Sequence, residues 1–220
     1  MARIVWHGHS CFEIIDSRER SIVIDPHDGG SIGLKKPNAR ADAVLVTHDH
    51  FDHNAYSLVL KKGGELHFMK EGEFSVLGHK AKGIKVYHDS VKGRRRGEVI
   101  SYLLDVDGLR ILHLGDIGEI PSQEKIREMD NPHVLMVPVG GTFTVNGRGA
   151  KEIIELLKPK AAVPMHYWIQ GINLPLAPLE HFYSVINYEV IELESNTWNA
   201  DPSKLEEWEE VRVVVFRYSP

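Results

Sequence analysis

Thr47-His48-Asp49-His50-Phe51-Asp52-His53 is the stretch on which the reading of this chain turns. Three histidines and two aspartates crowd into residues 48–53, directly behind Ala43-Val44-Leu45-Val46, an apolar run that reads as a buried strand. So many ionisable groups at a strand end are costly to bury unless something neutralises them. A divalent cation does so, and neutral imidazoles with carboxylates are the usual ligands of zinc and similar ions. In an extended segment alternate side chains share a side, so His48 and His50 project together. Asp52 and His53 fall where the chain turns away. Two pairs aimed in different directions predict two metals rather than one. A lone His-x-His would more often be a polar loop; the full His-x-His-x-Asp-His behind an apolar strand is far more specific.

The rest of the chain offers a frame for such a site. Strands are expected at residues 3–6, 11–15 and 21–24 before the motif, and at 66–69, 74–77 and 84–87 after it. A helix over 54–61 is expected between them, stopped by Gly63-Gly64. Residues 99–106 and 110–114 read as a hairpin around Asp107-Gly108. Helices at 121–129 and 150–157 alternate with strands at 134–139 and 161–164. Residues 175–186 read as partly helical, and 190–193 and 211–218 as terminal strands. Early hairpins followed by interspersed helices fit an α/β layered domain. Candidate ligands then stand at four strand ends: the opening motif, His88, Asp116 and His166. His67, His79 and His113 compete with His88; His113, between Leu112 and Leu114, reads better as a hydrogen-bonded core residue.

A chain of 220 residues with ordinary apolar and charged fractions is long enough for one sizeable core, and no repeat or linker divides residues 1–220. The net charge of -5 argues against binding a nucleic acid backbone. It leaves room for a small anionic substrate, because a metal site carries its own positive charge. The single cysteine, Cys11, excludes an intramolecular disulfide and a thiolate metal cluster. The first residues enter a strand pattern without the features of a signal peptide, and no run of about eighteen apolar residues occurs. A cytoplasmic protein without a membrane span is expected.

Together, Thr47-His48-Asp49-His50-Phe51-Asp52-His53, the strand-end His88, Gly115-Asp116 and Pro164-Met165-His166-Tyr167 resemble the ordered motifs of the metallo-β-lactamase superfamily. His7-Gly8-His9-Ser10, Ile24-Asp25-Pro26 and the segment Pro138-Val139-Gly140-Gly141-Thr142-Phe143-Thr144 are similar to the branch of bacterial metal-dependent hydrolases that includes ascorbate-6-phosphate lactonases. The resemblance implies an αββα four-layer sandwich of two mixed sheets flanked by helices, as a single domain. It implies that His48, His50 and His88 hold one metal, that Asp52, His53 and His166 hold the other, and that Asp116 bridges them. Two departures weaken any transfer of substrate identity: Ile117 stands after Gly115-Asp116 where Thr is common, and Asn146-Gly147-Arg148-Gly149 lacks the acidic residues often found there.

Several further residues admit two readings. Asp25 either forms a turn before Pro26 or orients a ligand. His7, His9 and His27 contact substrate, orient ligands, or are solvated loop residues. Arg94, Arg95 and Arg96 form either a solvated loop or an anion site, and Arg148, ahead of a helix, is similar. The expected activity is metal-dependent hydrolysis of a small anionic ester, phosphoester or lactone by a metal-bridged hydroxide, with Asp52 assisting proton transfer. Zinc is the expected ion, and manganese or iron also suits a nitrogen and oxygen ligand set. The alternatives are a non-hydrolytic metal-binding protein and a di-iron redox protein on the same fold.

Overall fold

The computed structural model describes residues 1–218, and its strands form two mixed sheets. The first is built around the strand that carries the motif. β1 (Ala2–Trp6), β2 (Phe12–Ile15) and β3 (Ser21–Ile24) form an antiparallel meander. β4 (Ala41–Val46) and β5 (Leu60–Phe68) then add in parallel. β4 is apolar throughout because both its faces are covered, as a parallel strand requires. Ala43 and Leu45 enter the core shared with the second sheet, while Val44 and Val46 join Cys11, Val23 and Val59 in a smaller cluster outside.

The second sheet begins with a long antiparallel meander. It consists of β6 (Gly72–Val76), β7 (His79–Tyr87), β8 (Glu98–Val106) and β9 (Leu109–His113). The expected turn at Asp107-Gly108 joins the last two, with both residues at positive φ. β10 (Val134–Pro138) and β11 (Ala161–Met165) continue in parallel. β12 (Glu189–Glu192) and β14 (Arg212–Val215) complete this edge, while the intervening β13 (Thr197–Ala200) crosses to pair with β1. Apolar side chains from the inner faces of both sheets form one continuous core.

Helices flank the sheets, giving the αββα arrangement that the resemblance implied. α1 (Gln123–Glu128) starts at Ser122, whose hydroxyl accepts the Lys125 N–H. α2 (Gly147–Leu157) starts at Asn146, whose side chain accepts the N–H groups of Arg148 and Gly149, and it packs on β10. α3 (Leu179–Tyr183) packs on α2, and α4 (Pro202–Glu206) is capped by Asp201. The helix expected over residues 54–61 does not form. A single 3-10 turn, Tyr56–Leu58, leads into β5, which runs through Gly63 and Gly64. Pairing with β4 overrides the local pattern, and a Cβ on Gly64 would stand 2.7 Å from the Asp42 carbonyl. Among the described residues, no helix is long and apolar enough to cross a membrane.

The sheets are also tied together beside the motif. The Ile100 N–H donates to the Thr47 carbonyl at 2.9 Å. The buried Tyr102 hydroxyl donates to the Val46 carbonyl at 3.0 Å and accepts the Lys70 N–H at 2.9 Å. The exit of β4 is thereby fixed against β8 before any ligand is considered.

Candidate metal centre

Four strand exits meet at one edge of the two sheets. β4 delivers residues 47–53, β7 delivers His88, β9 delivers Asp116 and β11 delivers His166. At their meeting point lies Asp116 Oδ2. It is 3.0 Å from His166 Nε2, 3.3 Å from His53 Nε2, 3.5 Å from His88 Nε2 and 3.9 Å from His48 Nε2. His50 stands on one flank, its ring centroid 4.5 Å from that of His48 and 4.9 Å from that of His88. Asp52 stands on the other, its Oδ2 3.4 Å from His53 Nε2. Ligand-capable atoms of His48, His50 and His88 lie within 4.8 Å of one another, and so do those of His9, Asp52, His53 and His166.

The outer nitrogens of three rings show why the inner ones face the centre. Thr47 Oγ1 donates to Asp25 Oδ2 at 2.6 Å, which commits its only proton. It must therefore accept from His48 Nδ1 at 2.9 Å. His53 Nδ1 donates to Asp25 Oδ2 at 3.0 Å, and His88 Nδ1 donates to the Phe143 carbonyl at 3.0 Å. With Nδ1 committed outward in each ring, Nε2 faces the centre, the orientation that outer partners impose on metal-binding imidazoles.

The residues fit a cation. Nε2 of His48, His53 and His166 and Oδ1 of Asp116 are buried without any hydrogen-bond partner. Isolated orphans of this kind are rare and costly, and four converging on one point call for a common partner. Three residues here are also in the left-handed region: His9, Asp25 and His166, with φ of 53°, 49° and 52°, a conformation uncommon outside glycine. Gly140 makes room for the last of them, since a Cβ there would lie 2.1 Å from the His166 carbonyl oxygen.

The electrostatics divide the imidazoles. Burial pushes His48 well below the usual imidazole range, and burial also lowers His50 and His88. These three are neutral near pH 7. His53 goes the other way: burial would lower it, but Asp116, Asp52 and Asp25 together raise it well above that range. Burial would raise Asp116, yet His166 and His53 hold it well below the ordinary carboxylate value. Asp52 is likewise held low against burial, by the charge of His53 beside it and by the hydrogen bond from His9.

Of the remaining candidates, Asp25 is drawn in as an orienting group: besides Thr47 Oγ1 and His53, it accepts the Thr47 N–H at 2.8 Å. His9 is also drawn in, fully buried, its Nε2 3.1 Å from Asp52 Oδ2 and its ring pushed down to about 3 by burial and by His166. Two candidates are engaged by other partners. His7 turns away from the centre to Glu13, at 2.9 Å, because Glu13 is buried with Ser21 and needs a donor. His27 is buried and donates to the His7 carbonyl at 3.1 Å, which braces that loop. Arg148 is exposed in the first turn of α2. His67 and His79 engage Glu65 and Asp16 elsewhere, while His113 bonds the Ser10 carbonyl and receives the Gly115 N–H. Thr47 and the Phe143 carbonyl, both essential to the ring orientations, carried no signal in the sequence beyond their adjacency to motifs.

A cavity of about 90 Å³ opens over the centre. His50, Asp52, His88 and Asp116 form its floor, and Phe51, Phe143, Leu174 and Arg96 its walls.

Comparison with known proteins agrees with this geometry. A family described as a β-lactamase superfamily domain matches residues 3–166. A metal-dependent hydrolase of Thermoplasma volcanium is 32% identical over 189 residues, covering 75% of this chain and 83% of the relative. One from Thermoplasma acidophilum is 31% identical over 188 residues, with the same coverage of 75% and 83%. Among solved structures, a Thermotoga maritima protein of the metallo-β-lactamase superfamily superposes with a TM-score of 0.76 at 30% identity, over 100% of both chains. A metallo hydrolase from Ignicoccus hospitalis shares the fold at 22% identity, with a TM-score of 0.68 over 100% of this chain and 96% of that one.

Proposed function

This chain belongs to the metallo-β-lactamase superfamily, and from that premise we propose that it is a hydrolase working with two divalent ions on a small anionic ester, phosphoester or lactone. The observation that carries the reading is Asp116 Oδ2 surrounded by the Nε2 atoms of four imidazoles at 3.0–3.9 Å. In this reading His48, His50 and His88 would hold one ion, Asp52, His53 and His166 would hold the second, and Asp116, set between the two groups, would serve both. When bound, zinc ions lower the pKa of a water molecule and polarise the substrate oxygen; manganese or iron suits the same ligands.

The chain's own residues supply the rest. Thr47, Asp25 and the Phe143 carbonyl hold three rings with Nε2 turned toward the centre. Asp52 is ionised, is oriented through one oxygen by His9, and stands at the cavity floor, where it can accept a proton and return it to the leaving group. Phe51, Phe143 and Leu174 give the cavity its apolar wall.

Elemental analysis followed by a panel of phosphodiesters, phosphomonoesters, lactones and thioesters tests the proposal. About two equivalents of divalent ion and turnover that vanishes on chelation and returns with zinc or manganese are expected. Purified protein that takes up no divalent ion, or turnover indifferent to chelation and to His48→Ala, would overturn it.

A further inference from the structure

The loop that follows His88 is wound around a single carboxylate. Asp89 Oδ1 accepts the N–H groups of Val91 and Gly93, each at 2.9 Å. Its Oδ2 accepts those of Arg95 and Arg96, also each at 2.9 Å. The loop closes on itself through Gly97 N–H to the Gly93 carbonyl at 2.9 Å, and through His88 N–H to the Gly97 carbonyl at 3.1 Å. Gly93 and Gly97 take φ of 74° and 89°, which glycine adopts without steric cost. This is more internal bonding than a solvated basic loop needs.

Its product is the position of Arg96. The guanidinium carbon sits 4.6 Å from the centroid of the Phe143 ring, and the carbonyl of the same Phe143 holds His88. Arg96 therefore lines the cavity beside His50 and Asp116. It is the only cationic side chain lining this cavity among the described residues, and among them it makes no ion pair with a carboxylate. Its charge reaches His50, where it is one of the influences that lower that imidazole. A planar cation stacked on a ring, held by its own backbone and left without a counter-ion, is preorganised for a two-oxygen anion.

We infer that Arg96 recognises the substrate by pairing with a carboxylate or phosphate oxygen beside the bond to be cleaved, and that Asp89 is the positioning residue that holds Arg96 over the metal centre. The inference rests on the hydrolase reading for the identity of that centre. It implies that neutral esters and thioesters are poorly held.

The test is calorimetric binding to purified protein, with metal content measured on the same samples. The probes are phenylphosphonate, phenylacetate and the neutral phenylacetamide. Wild-type protein should bind at least one of the two anions, and which is tighter separates phosphate from carboxylate recognition. Arg96→Gln should weaken the preferred anion about tenfold or more, without weakening phenylacetamide. Arg96→Lys should recover only part of the loss, because a point charge replaces a fork. Asp89→Asn should weaken the same anion while metal content stays at the wild-type level, and amide exchange at residues 91–96 should quicken. Wild-type protein that binds neither anion, or an Arg96→Gln affinity within about twofold of wild type, would overturn the inference. Absence of metal from the wild type overturns the hydrolase reading instead, and the Arg96 contrast is still read on those samples.

Discussion

At His53 three carboxylates meet one imidazole. Asp25 takes its Nδ1 proton at 3.0 Å, while Asp52 and Asp116 face Nε2 at 3.4 Å and 3.3 Å. Their combined charge raises His53 far enough that both ring nitrogens carry protons near pH 7 in metal-free protein. A cation can use Nε2 only after that proton leaves, whereas His48, His50 and His88 are already neutral. The sign follows: loading expels a proton, and affinity rises with pH until His53 loses its proton unaided. Zinc titrated into metal-free protein in two buffers of different ionisation enthalpy should show about one proton released per chain. Metal affinity should climb about tenfold per pH unit through the neutral range. A proton count near zero would mean that His53 is already neutral in the metal-free protein. The ligands themselves were legible in the sequence, because ionisable residues gathered behind apolar strands stand out without any structure. Their supports were not. His9 reaches Asp52 across 43 positions, and nothing local to either residue announces that contact. His7 and His27 carried the same signal as His9 yet turn elsewhere, since Glu13 and a loop carbonyl claim them.

Strands were legible where both faces are buried, as in β4, β10 and β11, because the sequence is then apolar without interruption. Reading failed where tertiary pairing overrides local pattern. Leu58 and Leu60 suggested a helix, but a single 3-10 turn ends at Leu58 and the chain from Leu60 lies extended along β4. β13 was missed because Thr197-Trp198-Asn199-Ala200 has no apolar run; its strand character comes from pairing with β1. The same reliance on tertiary contact makes the exit of β10 sensitive. Gly140 follows that strand and lies so close to the exit of β11 that an added methyl would meet the His166 carbonyl at 2.1 Å. Gly140→Ala should therefore displace His166, destabilising the metal-free protein by about 2–3 kcal/mol and weakening metal binding as well. Gly30→Ala, where the added methyl meets nothing within 4 Å, serves as the control and should stay within about 0.5 kcal/mol of wild type. Urea unfolding of both variants decides the matter. Equal midpoints would mean that the two strand exits do not depend on this close approach.

Over the whole molecule, the candidate centre lies across the seam between the sheets. The first sheet contributes residues 48–53 through β4 alone, and the second contributes His88, Asp116 and His166 through β7, β9 and β11. Without an ion, the seam at this edge is joined by the Ile100–Thr47 and Tyr102–Val46 hydrogen bonds and by His113 reaching the Ser10 carbonyl. Against these work the unpartnered Nε2 and Oδ1 atoms, which no neighbour satisfies. A cation bound among them adds linkages to both sheets at once. A ligand present at about a hundredfold over its Kd stabilises the folded state by about 2.7 kcal/mol, whichever residues hold it, so a raised Tm alone cannot locate the site. Amide exchange can. On loading with zinc, protection should rise together at residues 46–53 of the first sheet and at residues 114–116 and 165–167 of the second, with β6 and β12, the two opposite edge strands of the second sheet, little changed. A rise confined to the β4 exit would mean that the opening motif binds its ion without Asp116 or His166. The site would then belong to one sheet, and the two-metal reading would fall with it.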